Sequence, residues 1–533
     1  MWKALLWAAC ALLALPVLGV AGSWLALDAS SWATLVHQAQ TVLPAYAGQS
    51  LALTLAVALG VALVGGATAA AVTLFDFAGR RLLEWALLLP LAMPAYVLAY
   101  AYTDALQFSG PIQRGLREAL GLTGALWPEV RSLWGAALLF TFCLYPYVYV
   151  LTRTALAERA APLLEAARML GAPLARRVRQ VALPLARPAL AAGVALALME
   201  TLADYGVGSY FGLTTFTTGI YHAWLVLDSP AAAAQLASVL LAVVAVLLWL
   251  EQQQQRRLRF AATRSGGGAA TPERLGRGGT ALAWLVCGVP VLLGFVLPVG
   301  WLLLLLWQAG RWGDDPVFNP IYLARFAQWA WQSLWLAALA AVLATTLALA
   351  LAFAHRRGVG GAPLLARVVG LGYAVPGAVV AVGILLWLGA GQHWAPQLGL
   401  PALVTGTAAG LLLAYLTRFA AVALQSVQAG YARVPAALDE SARLLGAGPW
   451  RLFSRLHAPL LTRSAGAAAL LVFVDTMKEL PATLVLRPFG SDTLAVVAYQ
   501  FARDERLAEA ALPSLAIVAV GLVPVVLLRH LTK

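Results

Sequence analysis

The segment LLEAARMLGAPLARRVRQVALPL (163–185) aligns without gaps to LDESARLLGAGPWRLFSRLHAPL (438–460), and this repeat decides the fold. Equivalent residues lie 275 positions apart, among them the pairs Glu165/Glu440, Gly171/Gly446 and Pro184/Pro459. Upstream, QSLALTLAVALG (49–60) is similar to QSLWLAALAAVL (332–343). Self-similarity over this distance predicts a duplicated core with a pseudo-twofold axis.

The composition indicates that the surroundings of this chain are apolar. Of its 533 residues 62% are hydrophobic and 11% are charged, whereas soluble domains carry about 25% charged residues. Many apolar runs are long enough to cross about 30 Å of hydrocarbon. We therefore expect an all-α integral membrane protein with about 12 transmembrane helices. They are expected near 4–26, 51–75, 84–103, 133–152, 188–208, 232–250, 281–307, 330–353, 366–389, 403–427, 464–486 and 512–528.

The basic residues predict the orientation of these spans. With the N-terminus in the cytoplasm, 26 of the 36 Lys and Arg residues fall on the cytoplasmic side and 8 on the other. Because cytoplasmic loops carry an excess of basic residues, we expect both termini to be cytoplasmic. The first span resembles a signal peptide, but its length and the lack of a clear cleavage site predict that it is not cleaved.

A polar, Gly-rich segment at 251–280 divides the chain and predicts a flexible cytoplasmic linker. It separates a first half, 1–250, from a second half, 281–533. An even number of spans gives the two six-helix halves the same orientation, so they are expected to be parallel repeats.

The aligned segments fall in cytoplasmic loops at 158–187 and 430–463, which we name loop A and loop B. Each loop predicts a short amphipathic helix, a sharp turn at a glycine and a second short helix that begins near a proline. A helix tied to spans at both ends can fit a partner's groove and transmit rigid-body motion. The alternative is an ordinary basic loop, which two equivalent copies on one face disfavour.

Both loops resemble the EAA loop of ABC importer permeases of the binding-protein-dependent class. The stretches PLAMPAYVLAYAYTDALQFSGPIQ (90–113), METLADYGVGSYFGLTTFTTGIYHAW (199–224) and 477–518 are similar to the fused two-domain permeases of ferric iron importers. The resemblance implies the type I ABC importer transmembrane fold in a bacterial inner membrane. It also implies two cytoplasmic ATP-binding cassette subunits and a periplasmic iron(III)-binding protein as partners, with iron(III) carried inward by alternating access.

The same resemblance implies which residues couple the chain to the ATPase subunits. In loop A they are Glu165, Ala166, Ala167, Gly171, Ala172, Pro173, Leu174 and Pro184. In loop B they are Glu440, Ser441, Ala442, Gly446, Ala447, Pro449 and Pro459.

The sequence carries no ATPase motif of its own. Its lysines, Lys3, Lys478 and Lys533, follow no Gly-rich loop, so a Walker A loop is excluded. We therefore expect no enzyme activity and no cofactor in this chain, with ATP used by a partner subunit. The histidines and cysteines lack metal-binding spacing, so no stable metal site is expected. The net positive charge of the chain is explained by the basic residues of its cytoplasmic loops, so it does not indicate nucleic-acid binding.

Acidic residues inside predicted spans form two repeat-related pairs, Glu200 with Asp204 and Asp475 with Glu479. Their spacing of four predicts that each pair shares one helix face. A charge at mid-membrane costs roughly 2.5–3.5 kcal/mol on insertion scales, so these side chains are expected to face protein or water. Because carboxylates are hard oxygen ligands, we predict that they line the iron path.

A structural role for the same acids is the alternative: Lys478 and Arg418 neutralise them, while Thr201 and Thr476 donate hydrogen bonds to them. Prolines in the spans, namely Pro90, Pro94 and Pro376, are expected to kink their helices.

Other functions remain open at this stage. The cargo could be thiamine, sulfate, spermidine or a phosphonate, since permeases for these share the loop pattern. A gradient-driven secondary transporter would also fit duplicated halves, with the acids as proton carriers. An intramembrane enzyme would need catalytic groups in outer loops, where Asp104, Asp314 and Asp315 form no recognised constellation.

Overall fold

The computed structural model describes residues 2–26, 29–157, 161–261, 272–311, 316–394 and 407–531, together with residues 397, 399 and 404. These residues are almost entirely helical, because a bilayer requires every backbone polar group to be satisfied within its own segment. Among the described residues, ten helices are long and apolar enough to cross a membrane, and two bent helix pairs raise the number of candidate spans to as many as 12. The predicted all-α membrane fold is confirmed.

The helices are numbered in chain order. Those before the predicted linker are α1 Trp2–Gly22, α2 Ala29–Gln40, α3 Leu43–Leu74, α4 Arg80–Ala86, α5 Ala95–Leu106, α6 Pro111–Leu120, α7 Leu133–Ala155, α8 Ala161–Met169, α9 Leu174–Arg177, α10 Leu183–Ala203, α11 Gly206–Tyr210, α12 Phe216–Tyr221 and α13 Pro230–Ala261. Short 3₁₀ or π-helical segments occupy Ser23–Ala26, Leu89–Ala92, Val178–Ala182 and His222–Val226.

Those that follow are α14 Arg277–Val291, α15 Leu297–Arg311, α16 Pro320–Arg356, α17 Ala362–Leu371, α18 Gly377–Trp394, α19 Ala409–Tyr431, α20 Ala436–Leu444, α21 Pro449–Arg451, α22 Ala458–Met477, α23 Pro481–Leu486, α24 Leu494–Arg503 and α25 Leu507–Leu531. Between them lie the 3₁₀ or π-helical segments Leu292–Val296, Pro316–Phe318, Gly372–Ala374 and Leu452–His457.

Proline interrupts two of the predicted spans. The chain bends by 93° between Arg80–Ala92 and Ala95–Leu120, and by 117° between Ala362–Ala374 and Gly377–His393. Pro94 and Pro376 stand at these two breaks. The residue before each proline is extended, with ψ of 116° at Met93 and 120° at Val375, because the proline ring disfavours the helical conformation of its predecessor. The kinks predicted at Pro94 and Pro376 are confirmed.

The chain forms two compact units, each built from separate segments. The first unit comprises Met1–His37, Ile220–Leu241 and Pro320–Val497. Helices α16, α19 and α22 pack against one another in its core, and α1 packs against α18. At that contact Gly19 lies so close to Gly383 that a Cβ on Gly19 would be 2.7 Å from the Gly383 carbonyl oxygen. A larger residue at either position would push α1 away from α18.

The second unit comprises Gln38–Gly219, Ala242–Asn319 and Ala498–Lys533. Helices α3, α7 and α10 form its core, α14 packs against α3, and α15 packs against α5 and α25. Each unit thus combines the core of one half with the opening and closing segments of the other. The predicted boundary between halves at 250 and 281 therefore does not separate the compact units.

The predicted linker is ordered wherever the structure describes it. Residues 262–271 lie outside the described part of the chain, as do residues 158–160 at the start of loop A. Before the linker gap α13 continues to Ala261, and after it strand β2, Glu273–Arg274, pairs in parallel with strand β1, Phe75–Asp76. The described ends of 251–280 thus contain helix and a short strand, and the flexible cytoplasmic linker stays a prediction.

Candidate functional site

Loop A contains the predicted helix, turn and second helix. Helix α8 is followed by Gly171, whose φ is 76°, and α9 begins after Pro173. The N–H of Gly171 donates to the Arg168 carbonyl at 2.9 Å, and the N–H of Ala172 donates to the Ala167 carbonyl at 3.0 Å. This hydrogen-bond pair is the Schellman motif, whose left-handed residue is normally glycine. Pro184 lies in the first turn of α10, directly after the π-helical segment Val178–Ala182.

Loop B repeats this backbone. Helix α20 is followed by Gly446 with a φ of 74°. The N–H of Gly446 donates to the Arg443 carbonyl and the N–H of Ala447 to the Ala442 carbonyl, both at 3.0 Å. Pro449 then begins α21, and Pro459 lies in the first turn of α22. The sequence prediction of two equivalent helix–turn–helix loops is confirmed in geometry, while the contacts predicted for their residues remain predictions.

The tip of each loop exposes two large apolar side chains. Met169 and Leu170 are 86% and 87% exposed, and Leu444 and Leu445 are 89% and 88% exposed. These residues occupy equivalent positions, directly before the turn glycines. Exposed apolar groups that form a patch mark a binding surface, and these lie on the elements predicted to meet a partner. These four residues were not predicted from the sequence as contact residues, although their 275-residue spacing is visible in the alignment.

Apolar packing anchors loop A. Leu164 of α8 is 6% exposed and belongs to a buried cluster with Leu156, Ala182 and Ala186. Ala70 and Leu74, at the end of α3, pack against this cluster. Leu164 therefore anchors α8 through apolar contacts, which have no preferred direction.

A salt bridge connects the second helix of loop A to β2. The Nη2 atom of Arg177 lies 2.8 Å from Oε1 of Glu273. The Nε–H of Arg177 donates to the carbonyl oxygen of Ala172 at 3.1 Å. One side chain thereby links the turn of loop A to the described C-terminal part of the predicted linker.

A buried polar network anchors loop B. Asp439 of α20 accepts a hydrogen bond from Nε of Arg356 at 2.8 Å and lies 2.9 Å from Nε2 of His457. Arg356 also donates from Nη2 to the Val434 carbonyl at 2.9 Å, and Nδ1 of His457 lies 3.1 Å from the Tyr431 hydroxyl. Asp439 is 5% exposed and His457 is fully buried. The carboxylate is thus removed from water but fully partnered.

Two opposing effects set the acidity of Asp439. Burial raises its pKa, but the hydrogen bonds from Arg356 and His457 and their positive charge outweigh burial, so the pKa lies below its ordinary value of 3.8. Because a carboxylate only accepts hydrogen bonds, Nε2 of His457 carries the proton that points to Asp439. Nδ1 of His457 shares a hydrogen bond with the Tyr431 hydroxyl, which can act as donor or acceptor. The network therefore contains a donor for each buried acceptor.

The predicted path acids occupy different surroundings within the two units. Helix α10 ends at Ala203, and Asp204 is extended with a ψ of 133°. Its Oδ1 accepts a hydrogen bond from the N–H of Val207 at 2.8 Å, in the first turn of α11. Asp204 therefore does not share a helix face with Glu200, and that part of the prediction is wrong. A short acidic side chain that bonds the backbone three residues on favours a helix start over helix continuation.

Glu479 plays the same part in the first unit. It follows the end of α22, and its Oε1 accepts from the N–H of Ala482 at 3.0 Å, the position equivalent to Val207. Its Oε2 accepts from the N–H and the hydroxyl of Thr483 at 3.1 and 2.6 Å. Arg418 completes the site with Nη1 at 3.0 Å from Oε1, and both side chains are buried. The shared helix face predicted for Asp475 and Glu479 is also wrong.

The ion pairs of the structural alternative are present, but its hydroxyl bonds are not. Lys478 lies 2.9 Å from Asp475 in a partly exposed pair. Thr201 donates instead to the Ala197 carbonyl at 2.9 Å, and the Thr476 hydroxyl has no hydrogen-bond partner among the described residues. Glu200 is half-buried. The path role of the four acids stays a prediction.

Within the described part of the chain, no group of three or more His, Cys, Asp or Glu side chains is arranged to hold a metal ion. The three cysteines are free and buried.

The sequence comparisons agree with the duplicated loops and the spans. Residues 62–260, which include the described part of loop A, match the family of binding-protein-dependent transport system inner membrane components. Over this region the chain is similar to the permeases of ABC importers that depend on a binding protein, and its described residues form an all-α fold with 10 to 12 candidate membrane spans.

Individual relatives extend this comparison. An Fe(3+)-transport system permease protein of Haemophilus influenzae is 25% identical over 466 residues, which cover 85% of this chain and 83% of that protein. A putative 2-aminoethylphosphonate transport system permease protein of Salmonella typhimurium is 29% identical over 169 residues, 32% of this chain and 60% of that protein. The maltose/maltodextrin transport system permease protein of Escherichia coli is 27% identical over 176 residues, 32% of this chain and 57% of that protein.

Proposed function

We propose that this chain is the membrane subunit of an ATP-driven importer that carries iron(III) from a periplasmic binding protein to the cytoplasm. The observation that carries the cargo is the extent of the similarity to the Haemophilus influenzae iron permease, which spans 85% of this chain. The similarity to the phosphonate permease is confined to 32% of it. The chain would lie in a bacterial inner membrane with both termini in the cytoplasm, as the basic residues predict.

Two cytoplasmic ATPase subunits would dock on loops A and B. The support is the pair of exposed apolar tips, Met169–Leu170 and Leu444–Leu445, which lie directly before rigid glycine turns. An apolar tip of this kind fits a hydrophobic groove on a partner. Each loop is joined to a long span, α10 or α22, by a short π-helical segment. Movement of a docked ATPase would therefore be passed to the span as motion of a packed element.

Iron(III) would pass through the membrane without forming a stable complex, because transport requires binding weak enough for release. Of the four predicted path acids, Asp204 and Glu479 are engaged in holding helix starts. Glu200 and Asp475 are the remaining candidates for direct contact with the ion. A carboxylate at these positions would suit a small, highly charged cation.

Uptake by a strain that lacks the chromosomal gene tests the cargo. Complementation with this chain should restore accumulation of radioactive ferric iron but not of thiamine, sulfate or 2-aminoethylphosphonate. If uptake of 2-aminoethylphosphonate is restored but uptake of iron is not, the proposed iron cargo is refuted, whereas the proposed class of transporter is not.

The driving force is tested in the same strain. Replacing the Walker A lysine of the partner ATPase should abolish uptake, and uptake that continues would favour a gradient-driven transporter. Glu200→Gln should lower iron uptake with the complex still assembled, whereas normal uptake would remove Glu200 from the path.

A further inference from the structure

The two loops share a backbone but differ in what holds them. At equivalent positions loop A has Leu164 and Ala182, both in the apolar cluster, whereas loop B has Asp439 and His457, both in the polar network. The end of the neighbouring long span differs in the same way. Beside loop A, Ala70 and Leu74 of α3 pack against the apolar cluster. Beside loop B, Arg356 of α16 forms a salt bridge with Asp439.

The network of loop B joins four separate elements. Asp439 belongs to α20, Arg356 to α16 and His457 to the π-helical segment that leads into α22, while Tyr431 ends α19. Arg356 adds a bond to the Val434 carbonyl, in the turn that connects α19 to α20. All the elements on which α20 rests therefore contribute to one set of hydrogen bonds.

Aromatic rings shield this network from water. The ring of Tyr431 meets that of His457 edge-on, with centroids 5.3 Å apart and planes at 88°. The ring of Phe353 lies 5.4 Å from His457 at 76°. Hydrogen bonds that involve a charged group are strong and directional, and they are stronger still away from water. A buried salt bridge of fixed geometry restricts the orientation of α20 more than apolar contacts restrict α8.

We propose that Asp439, Arg356 and His457 are positioning residues that fix the orientation of α20 on the ends of its spans, so that α20 is held through Asp439 by charge, whereas α8 is held through the equivalent Leu164 by apolar packing. This inference rests on the proposed role of the loops in coupling to an ATPase. It concerns how the coupling element is held, and it assigns these three residues no contact with ATP or cargo.

A spin label on α20 tests the anchor without any partner present. The label is attached at Ser441→Cys, an exposed site, and the matched control is Ala166→Cys, the equivalent exposed site on α8. The native cysteines are buried and do not compete for the label. Asp439→Asn should increase label mobility at 441 and leave mobility at 166 unchanged. Equal mobility at 441 with and without Asp439→Asn would overturn the proposal.

A double variant guards against a simple folding defect. Asp439→Leu with His457→Ala recreates the apolar pair found at the equivalent positions of loop A. It should return the label at 441 toward the immobile state, whereas Asp439→Leu alone should not. If the double variant is as mobile as the single one, orientation does not depend on these contacts and the proposal fails.

Coupling is then measured in proteoliposomes with the partner ATPase and its iron-loaded binding protein. The ratio of iron transported to ATP hydrolysed should fall severalfold in Asp439→Asn and recover in the double variant. An unchanged ratio would overturn the coupling consequence. Failure of the unmodified chain to assemble with the ATPase would refute the proposed function instead, and the label experiment would still report on the anchor.

Discussion

The exposed leucines at the loop tips give the sharpest test of ATPase docking. Leu170 and Leu445 are 87% and 88% exposed, so almost all of each side chain is available for burial by a partner. Fully burying a leucine contributes about 1.5–3 kcal/mol. Alanine keeps part of that contribution, so Leu445→Ala should lose about 1–2 kcal/mol of binding free energy. This corresponds to a rise of roughly 5–30-fold in the dissociation constant.

The effect should be confined to binding. A side chain so exposed makes few contacts within the chain, and surface substitutions usually change stability by no more than about 0.5 kcal/mol. The melting temperature of Leu445→Ala should therefore match that of the unmodified chain. The control is Leu63→Ala, because Leu63 is 62% exposed on a long membrane span rather than on a loop. It should leave ATPase binding unchanged.

Binding is measured with the purified ATPase and the chain in nanodiscs, for Leu170→Ala, Leu445→Ala and the double variant. Each single variant should weaken binding at its own loop, and the double variant should weaken it at both. The docking argument is refuted if the double variant binds the ATPase with unchanged affinity. It is also refuted if Leu63→Ala weakens binding as much as the loop variants do.

Three further predictions concern the loops and the buried ion pairs. Gly446→Ala places a side chain at a φ of 74°, so it should destabilise the turn by about 1–2 kcal/mol and lower transport per ATP. Glu479→Gln leaves Arg418 buried and unpaired, so thermal unfolding should show a loss of about 3–5 kcal/mol; Asp475→Asn, in a partly exposed pair, should lose under about 1 kcal/mol. Because the pKa of Asp439 is depressed, its contribution is complete above pH 3.8 and is lost as the pH falls through the lower folded value. The spin label at 441 should therefore stay immobile at pH 3.8 and become mobile only as the pH falls through that lower folded value, and a label that is already mobile at pH 3.8 would contradict this.

Periodic and repeated features of the sequence predicted most of the fold. The spans follow from apolar length alone, and the glycine turns of both loops follow from one alignment. The breaks at Pro94 and Pro376 follow from the backbone restriction that proline imposes on its neighbour. These inferences succeed because each depends on a short segment and on local physical rules.

The acid pairs show where such reasoning fails. A spacing of four predicts one helix face only if the helix continues, and both α10 and α22 end before the second acid. Asp204 and Glu479 each bond the backbone N–H three residues on, and this local competition with the helix is not visible in hydropathy. The placement of α1 in the compact unit that contains the core of the second half was also not predicted. Helix α1 is apolar on all sides, so its sequence does not indicate which helix it packs against.

Joining the halves in one chain allows their loops to diverge. In a homodimer every substitution appears in both copies. A charge at the position of Asp439 would then need residues equivalent to Arg356 and His457 in both loops. Here Leu164 and Asp439 occupy equivalent positions with different neighbours. The pairing of Arg177 with Glu273 goes further, because Glu273 lies in the predicted linker and has no counterpart in a separate first half. The connecting segment thus supports loop A directly, and the residue equivalent to Arg177 in loop B, Leu452, is buried and apolar. The two loops therefore meet equivalent demands with different interactions, which a symmetric assembly does not permit.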